Sequence, residues 1–86
     1  MNRYRILLEH GVEKDLSRLS SAIHVRILAA IRGLATNPRP TGCRKLAGSK
    51  NDWRIRVGEY RVVYEIADAA REVRINRVRH RREVYR

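Results

Sequence analysis

The sequence contains a single cysteine, Cys43, which excludes an internal disulfide bond. A lone thiol is typical of proteins in a reducing compartment and gives no cysteine-rich metal site. The three histidines share no ligand spacing with Cys43, so the sequence shows no metal motif. We therefore expect neither a metal nor another cofactor.

Long apolar runs are also absent. The N-terminal stretch MNRYRILLEH lacks the apolar segment of a signal peptide, and no segment reaches the roughly 20 residues of a membrane-spanning helix. These features predict a soluble, cytoplasmic protein that does not contact a membrane. With 86 residues, the chain has room for one small domain, residues 1–86. An active site is therefore expected on an open face or in a shallow groove.

Arginine is the residue in excess. Lys and Arg number 20 against 9 acidic residues, 17 of the 20 are Arg, and the formal net charge is +11. A guanidinium group holds phosphate through paired hydrogen bonds, so the excess favours a polyanionic partner such as nucleic acid, a ribosome-like particle or an acidic protein. A coding bias towards Arg explains part of the Arg-to-Lys ratio, but not the net charge. Residues 38–86 hold 14 basic and 6 acidic residues, which places the expected polyanion site in the second half.

Hydrophobic spacing predicts a β-α-α-β-β-β order. Residues 3–9 alternate as a strand does, and a helix of about two to three turns follows. A second helix is expected to start after a cap at Ser20 or Ser21 and to end at Asn37, because Pro38 disfavours a helical residue before it. The next segment holds both prolines and two glycines, which predicts a loop with a short strand around residues 44–47.

The stretch WRIRVGEYRVVYEI, residues 53–66, predicts a β-hairpin with a two-residue turn at residues 58–59. In this register one face is apolar and should pack on the helices, while the other places Arg56 opposite Arg61, with Arg54 two residues along. Like charges directly opposite each other destabilise a sheet. A solvated basic face tolerates them, and this is the plainer interpretation. Three arginines on one small patch of a basic protein nevertheless favour an anion site.

A third strand is predicted at about residues 72–78. Arg77, Val78 and Arg79 break its alternation, which predicts a bulge or the end of the strand there. The segment that follows is strongly basic. Its plainer interpretation is a disordered terminus, although its embedded apolar residues favour some docking onto the domain.

The hairpin pattern, followed by RVRHRREVYR and preceded by RKLAG and a helical hairpin, resembles the RelE/ParE toxin superfamily over essentially the whole chain, in particular its RelE-like mRNA interferase branch. The resemblance implies an α+β fold, a two-helix hairpin packed on a small, mostly antiparallel sheet. It implies a toxin of a type II toxin–antitoxin system that enters the ribosomal A site and cleaves mRNA there. It also implies a hetero-oligomeric complex with an acidic, RelB-like antitoxin.

Site residues follow from the same resemblance. Its catalytic set, carried over residue by residue, falls on Arg54, Arg56, Arg61, Arg81 and Tyr85. Arg54, Arg56 and Arg61 would clamp the phosphate that the RNA 2′-hydroxyl attacks, and Arg81 would steady the leaving oxygen. Two roles fit the tyrosine, which are base stacking, or general base if nearby arginines lower its pKa from about 10. Further contacts to RNA or the ribosome are expected from Arg44, Lys45, Arg79, His80 and Arg82.

Two other functions stay open. One is a ParE-like toxin that acts on DNA gyrase without nuclease chemistry. The other is a non-catalytic module that binds nucleic acid or acts as a co-repressor with its antitoxin. The arginine and tyrosine set favours the nuclease, because the gyrase-directed branch generally lacks that set.

Overall fold

The computed structural model describes residues 3–84, which form a five-stranded sheet with two helices packed on one face. In chain order the elements are β1 (Arg5–Leu8), α1 (Val12–Ser17), α2 (Ser21–Gly33), β2 (Arg44–Lys45), β3 (Asp52–Val57), β4 (Tyr60–Ala67), β5 (Glu72–His80) and α3 (Arg81–Val84). The strands lie in the order β1-β5-β4-β3-β2, with β1 parallel to β5 and the other neighbours antiparallel. This is the predicted α+β fold. Within residues 3–84, no helix is long and apolar enough to cross a membrane.

The core lies between the sheet and helices α1 and α2. Ile27 and Ile31 of α2 belong to the same buried core as Val62 and Tyr64 of the central strand β4. Removing apolar surface from water is the main stabilising term, at about 25 cal/mol per Å². The buried Tyr64 hydroxyl donates a hydrogen bond of 2.8 Å to the Pro38 carbonyl. This bond fixes the loop after α2 against the sheet.

Both helices are shorter than predicted. Helix α1 has six residues, fewer than two turns, and Leu19 packs on the core from beyond its end. Ser20 occupies the N-cap of α2, but its side chain makes no capping hydrogen bond. Helix α2 ends at Gly33, and hydrogen-bonded turns then continue to Asn37, whose N–H donates to the Gly33 carbonyl. The stop before Pro38 therefore ends these turns, not the regular helix.

Strands β3 and β4 pair in the predicted register. Gly58 adopts a positive φ of 60°, which suits the two-residue turn between them. Arg56 consequently lies opposite Arg61, with Arg54 on the same face, away from the helices. The pairs on the helix side are Val57 with Tyr60, Ile55 with Val62 and Trp53 with Tyr64.

The predicted irregularity in β5 is a bulge at Asn76. Its neighbours Ile75 and Arg77 pair with consecutive residues of β4, so one residue of β5 is extra. The extra residue resets the alternation, since Val78 is buried in the core and Arg77 lies on the opposite face. The strand then continues to His80, two residues beyond the predicted end.

Candidate nucleic-acid interface

Arginines occupy one end of the sheet face that lies away from the helices, here called the arginine face. Cross-strand pairing arranges them in two rows that run across the sheet. The first row consists of Arg56, Arg61 and Arg79, and the second row consists of Arg44, Arg54, Val63 and Arg77. Adjacent strands lie about 4.8 Å apart, so the guanidinium groups of one row can reach a common anion.

Arg61 is the rigid member of the first row. It lies on the central strand β4 and is only 3% exposed, and it is the sole buried charged residue in the described part of the chain. Its partner across the strands, Arg56, is exposed. Burial restricts a side chain to few rotamers, so Arg61 presents a fixed charge where Arg56 presents a mobile one. A fixed charge is what preorganised stabilisation of a growing negative charge requires.

Four arginines of the face have no protein partner for their side chains. Arg44, Arg54, Arg56 and Arg77 form no side-chain ion pair or hydrogen bond with any residue among 3–84. Five other arginines, one of them in the first row of the arginine face, form ion pairs with carboxylates. The pairs are Arg5 with Glu72, Arg39 with Asp68, Arg74 with Glu9, Arg79 with Asp15 and Arg81 with Glu59. These four side chains therefore give the arginine face positive charge that no carboxylate among residues 3–84 neutralises.

Arg79, the third arginine of the first row, is tied to helix α1. Its Nη1 lies 2.5 Å from Oδ1 of Asp15, whose side chain is 11% exposed. The other oxygen of Asp15 accepts a hydrogen bond of 3.1 Å from the backbone N–H of Val78. Asp15 thus caps the edge of β5 beyond the point where β1 stops. Arg79 belongs to the row by register, but its charge is shared with a structural carboxylate.

Arg81 lies next to the first row, at the hairpin turn. Its backbone N–H donates to the Glu59 carbonyl at 2.7 Å, and its Nε lies 2.7 Å from a carboxylate oxygen of the same residue. Both side chains are more than half exposed. The structure therefore brings this predicted catalytic residue to the edge of the arginine face, where Glu59 holds it.

Two of the remaining predicted residues lie on the helix side of the sheet. His80 lies on the helix side of the sheet, with its ring edge-on to Tyr60 at 5.3 Å. Its Nδ1 accepts a hydrogen bond of 3.3 Å from the backbone N–H of Arg82. Lys45 also lies on the helix side by register, away from the arginine face. Tyr85 lies outside the described residues.

Arg77 is the arginine of the face that sequence reasoning missed. The Asn76 bulge brings it onto the face and places it opposite Val63, in the second row. The broken alternation at residues 77–79 carried the signal. A sequence does not show which residue of a strand is the extra one, so the register beyond the bulge could not be derived.

The row that follows carries carboxylates. Asp52 of β3 lies opposite Glu65 of β4, and Arg74 of β5 lies on the other side of Glu65. Arg74 directs its Nη1 to Glu9, 3.2 Å away. The basic end of the sheet is therefore two rows long.

A shallow groove of about 590 Å³ opens beside the arginine face. Arg44, Arg54 and Arg56 form one side, and the end of helix α2, at Ala30 and Gly33, forms part of the other. It lies along β3 because β2 pairs with only two residues of that strand. An open groove on a small domain is the kind of site that the chain length predicts.

A separate polar cluster ties the opposite end of the sheet together. Asp68 accepts a hydrogen bond of 2.6 Å from the Tyr4 hydroxyl and two from Arg39, at 3.3 and 2.9 Å. The Arg39 hydrogen bond, followed by that from Tyr4, lowers the pKa of Asp68 from 3.8 to about 2. The Arg39 guanidinium also lies 5.1 Å from the Trp53 ring centroid. Arg39 is thus occupied in joining loops, unlike the arginines of the second row.

Comparison with known proteins identifies the protein family. A family model described as the ParE toxin of type II toxin–antitoxin systems matches residues 6–85. The chain therefore belongs to this toxin family, within the RelE/ParE superfamily. No curated protein matches the sequence.

Solved structures place the fold among RelE-like toxins. A chain of the RelE–RelB complex from Pyrococcus horikoshii OT3 is 29% identical with a TM-score of 0.82, covering 94% of this chain and 97% of that one. A chain of the RelBE2 toxin–antitoxin complex from Mycobacterium tuberculosis is 27% identical with a TM-score of 0.81, covering 93% of each. A chain of the RelB–RelE complex from Methanococcus jannaschii is 29% identical with a TM-score of 0.74, covering 92% and 94%.

Proposed function

We propose that this toxin is a ribosome-dependent mRNA endonuclease that cleaves the message in the A site. The observation that carries the proposal is the arginine face, where the buried Arg61 lies beside Arg56 and close to Arg54 and Arg77. The side chains of Arg54, Arg56 and Arg77 form no ion pair with a carboxylate among residues 3–84. Membership of a type II toxin family and the likeness to chains of RelE–RelB complexes support it. The substrate, mRNA on a ribosome, places the activity in the cytoplasm.

The arginine face suits a reaction in which RNA supplies its own nucleophile. The 2′-hydroxyl attacks the adjacent phosphorus, the bond to the 5′-oxygen breaks, and a 2′,3′-cyclic phosphate and a 5′-hydroxyl result. The 2′-hydroxyl loses its proton to a base, and the leaving 5′-oxygen gains one. Negative charge grows on the non-bridging oxygens, where Arg56 and Arg61 would hold them from two strands. One well-placed donor of this kind contributes about a hundredfold or more in rate.

Dependence on the ribosome follows from the proton transfers. In the described part of the chain, neither row of the arginine face contains a histidine or a carboxylate. The nearby carboxylates Asp15 and Glu59 are each paired with an arginine. Tyr85 is the candidate base, and Arg81 the candidate to steady the leaving oxygen. With so few groups for acid–base chemistry, the protein relies on a message that the ribosome already holds in order.

We also propose an acidic, RelB-like antitoxin as partner, in a hetero-oligomer. A net charge of +11 and the four arginines of the face that form no ion pair among residues 3–84 favour association with a negatively charged surface. The similar chains come from structures of RelE with RelB. Co-expression with the product of the neighbouring gene should give co-elution at low salt. Separate elution at low salt would contradict this partner.

Primer extension on a reporter mRNA in a cell-free translation reaction tests the nuclease. Cuts within codons should appear only when ribosomes are present. They should disappear with Arg56→Ala and Arg61→Ala and persist with the control Arg74→Ala, which removes an exposed arginine of the same face one row away. Testing Arg56, which is exposed, covers the case in which loss of the buried Arg61 unfolds the protein. Intact message with folded wild-type protein would contradict the nuclease.

A gyrase-directed toxin is the second candidate, because the matching family model carries the ParE name. In that case the arginine face would serve binding alone. Inhibition of gyrase supercoiling with translation unaffected would favour it. Arrest of growth by an Arg61 and Tyr85 double variant would point the same way, or to a non-catalytic binding module.

A further inference from the structure

We propose that the arginine face binds two successive phosphates of one RNA strand, and that Arg77 with Arg54 and Arg44 forms the second phosphate site. The inference rests on the proposed ribonuclease function and adds to it the position of the substrate phosphates along the strands. The first row holds the phosphate that reacts, and the second row holds its neighbour.

The two rows of the arginine face are spaced like successive phosphates of an RNA strand. Arg54 and Arg56 are two residues apart on β3, and Arg77 and Arg79 are two residues apart on β5. A strand rises about 3.3 Å per residue, so the two rows are separated by roughly 7 Å. This is close to the step between successive phosphates in an extended single strand. An RNA strand that runs along β3 and β5 would therefore meet one row with each phosphate.

The second row places two arginines on either side of an apolar residue. Arg54 and Arg77 lie on either side of Val63, with β4 between their strands, so their backbones are separated by about 10 Å. Val63 is 3% exposed and offers no polar group that competes for them. Long arginine side chains can span half of this distance, so the two guanidinium groups can approach one phosphate from opposite sides. Arg44 adds a third charge beside Arg54.

The row beyond limits the footprint. Asp52 and Glu65 lie opposite each other two residues further along β3 and β4. A third phosphate would meet two carboxylates there, and Arg74 in the same row is paired with Glu9. Like charges in close contact oppose binding, so the site accommodates two phosphates and rejects a third.

Oligonucleotides of increasing length test this footprint. The probes are 2′-O-methyl RNAs with one, two or three phosphodiester linkages and no terminal phosphate, and binding is measured at low salt by NMR titration. None of them can be cleaved, because the 2′-hydroxyl is blocked. Wild-type affinity should rise from one linkage to two and then level off. A continued rise with the third linkage, or no binding by any probe, would overturn the proposal.

Variants of β5 assign the second site. Arg77→Gln should abolish the gain from the second linkage and reduce the salt dependence of log K for the two-linkage probe by about 0.7. Arg77→Lys should restore part of the gain, whereas a purely structural role would give no such rescue. The matched control is Arg74→Gln, on the same strand and face, which should behave as wild type. A normal two-linkage gain in Arg77→Gln would overturn the proposal. These probes measure binding and not cleavage. A toxin that fails to cleave mRNA in the translation assay could therefore still show the two-linkage gain, so the two proposals fail independently.

Discussion

Arg56 and Arg61 lie directly opposite each other across strands β3 and β4. The Arg56 side chain is exposed, whereas Arg61 is buried, with 3% exposure. Like charges at opposed positions destabilise a sheet, so this pair works against folding. A phosphate bound between them would remove the repulsion. Functional sites commonly retain such unfavourable arrangements, because activity requires the charges to be in place before the ligand arrives.

Substitution of Arg56 should therefore stabilise the protein while it removes activity. Arg56→Gln is expected to raise the free energy of unfolding by about 0.2–1 kcal/mol at low salt, because it relieves the repulsion from Arg61. Urea denaturation measures this. At about 1 M salt the Debye length falls to roughly 3 Å, and the gain should shrink. The control Arg74→Gln loses its Glu9 partner and should not gain stability. A gain that is equal at both salt concentrations would have another cause.

Release of Arg81 from Glu59 should strengthen RNA binding. In Glu59→Gln the guanidinium no longer faces a carboxylate, so it can turn to a phosphate. The backbone hydrogen bond between the two residues remains and keeps the chain in position. Affinity for a 2′-O-methyl RNA should rise severalfold, whereas stability should change by less than about 1 kcal/mol because the pair is exposed.

The control for this prediction is Glu72→Gln. It also removes a carboxylate that pairs with an arginine, Arg5, but at the other end of β5. An equal rise in affinity in both variants would show that net charge alone is responsible. Unchanged affinity in Glu59→Gln would show that this carboxylate does not compete with RNA for Arg81.

The hairpin was predictable because two local signals agree. A glycine at the start of a two-residue turn fixes the register, and the apolar residues on one face exclude a slip of one position. The pairing of Arg56 with Arg61 follows directly from that register. The burial of Arg61 does not, since the pattern alone places both arginines on a solvated face. Burial of a charged side chain depends on tertiary packing, which strand periodicity does not record.

Other features depend on contacts between distant segments. Asp15 caps a strand edge more than 60 residues away, and nothing in the local sequence of α1 indicates it. The bulge at Asn76 was visible only as a broken alternation, so the placement of Arg77 on the face could not be derived. Helix α2 stops at Gly33 although its apolar spacing continues, and the turns that follow bring the Pro38 carbonyl to the Tyr64 hydroxyl.

Loss of the Asp15 carboxylate should cost more stability than loss of an exposed acid. Asp15→Ala leaves the Val78 N–H and the Arg79 guanidinium without their acceptor, and hydrogen bonds to charged groups contribute about 1.5–3 kcal/mol. Asp15→Asn keeps an acceptor for the N–H and should lose less. Urea denaturation of both variants measures this. The control Glu13→Ala, exposed on the same helix, should change stability little. Equal effects at positions 13 and 15 would exclude the capping role.

The Asp68 cluster predicts the response of the protein to acid. The Arg39 hydrogen bond, and then that from Tyr4, lowers the pKa of Asp68 from 3.8 to about 2. The unfolded chain therefore binds this proton more readily than the folded one. The stability that the carboxylate contributes is complete above pH 3.8 and is lost as pH falls towards 2.

Thermal unfolding of wild type and Asp68→Asn through this pH range tests that linkage. The variant should be less stable at neutral pH and should fall less steeply in acid, because it has no proton to take up at this position. Arg39→Gln should remove most of the acid dependence that Asp68 contributes, and Tyr4→Phe should remove a smaller part. Arg39 is the larger cause of the shift in the pKa of Asp68. An Asp68→Asn protein that retains the wild-type slope would place the acid sensitivity elsewhere in the molecule.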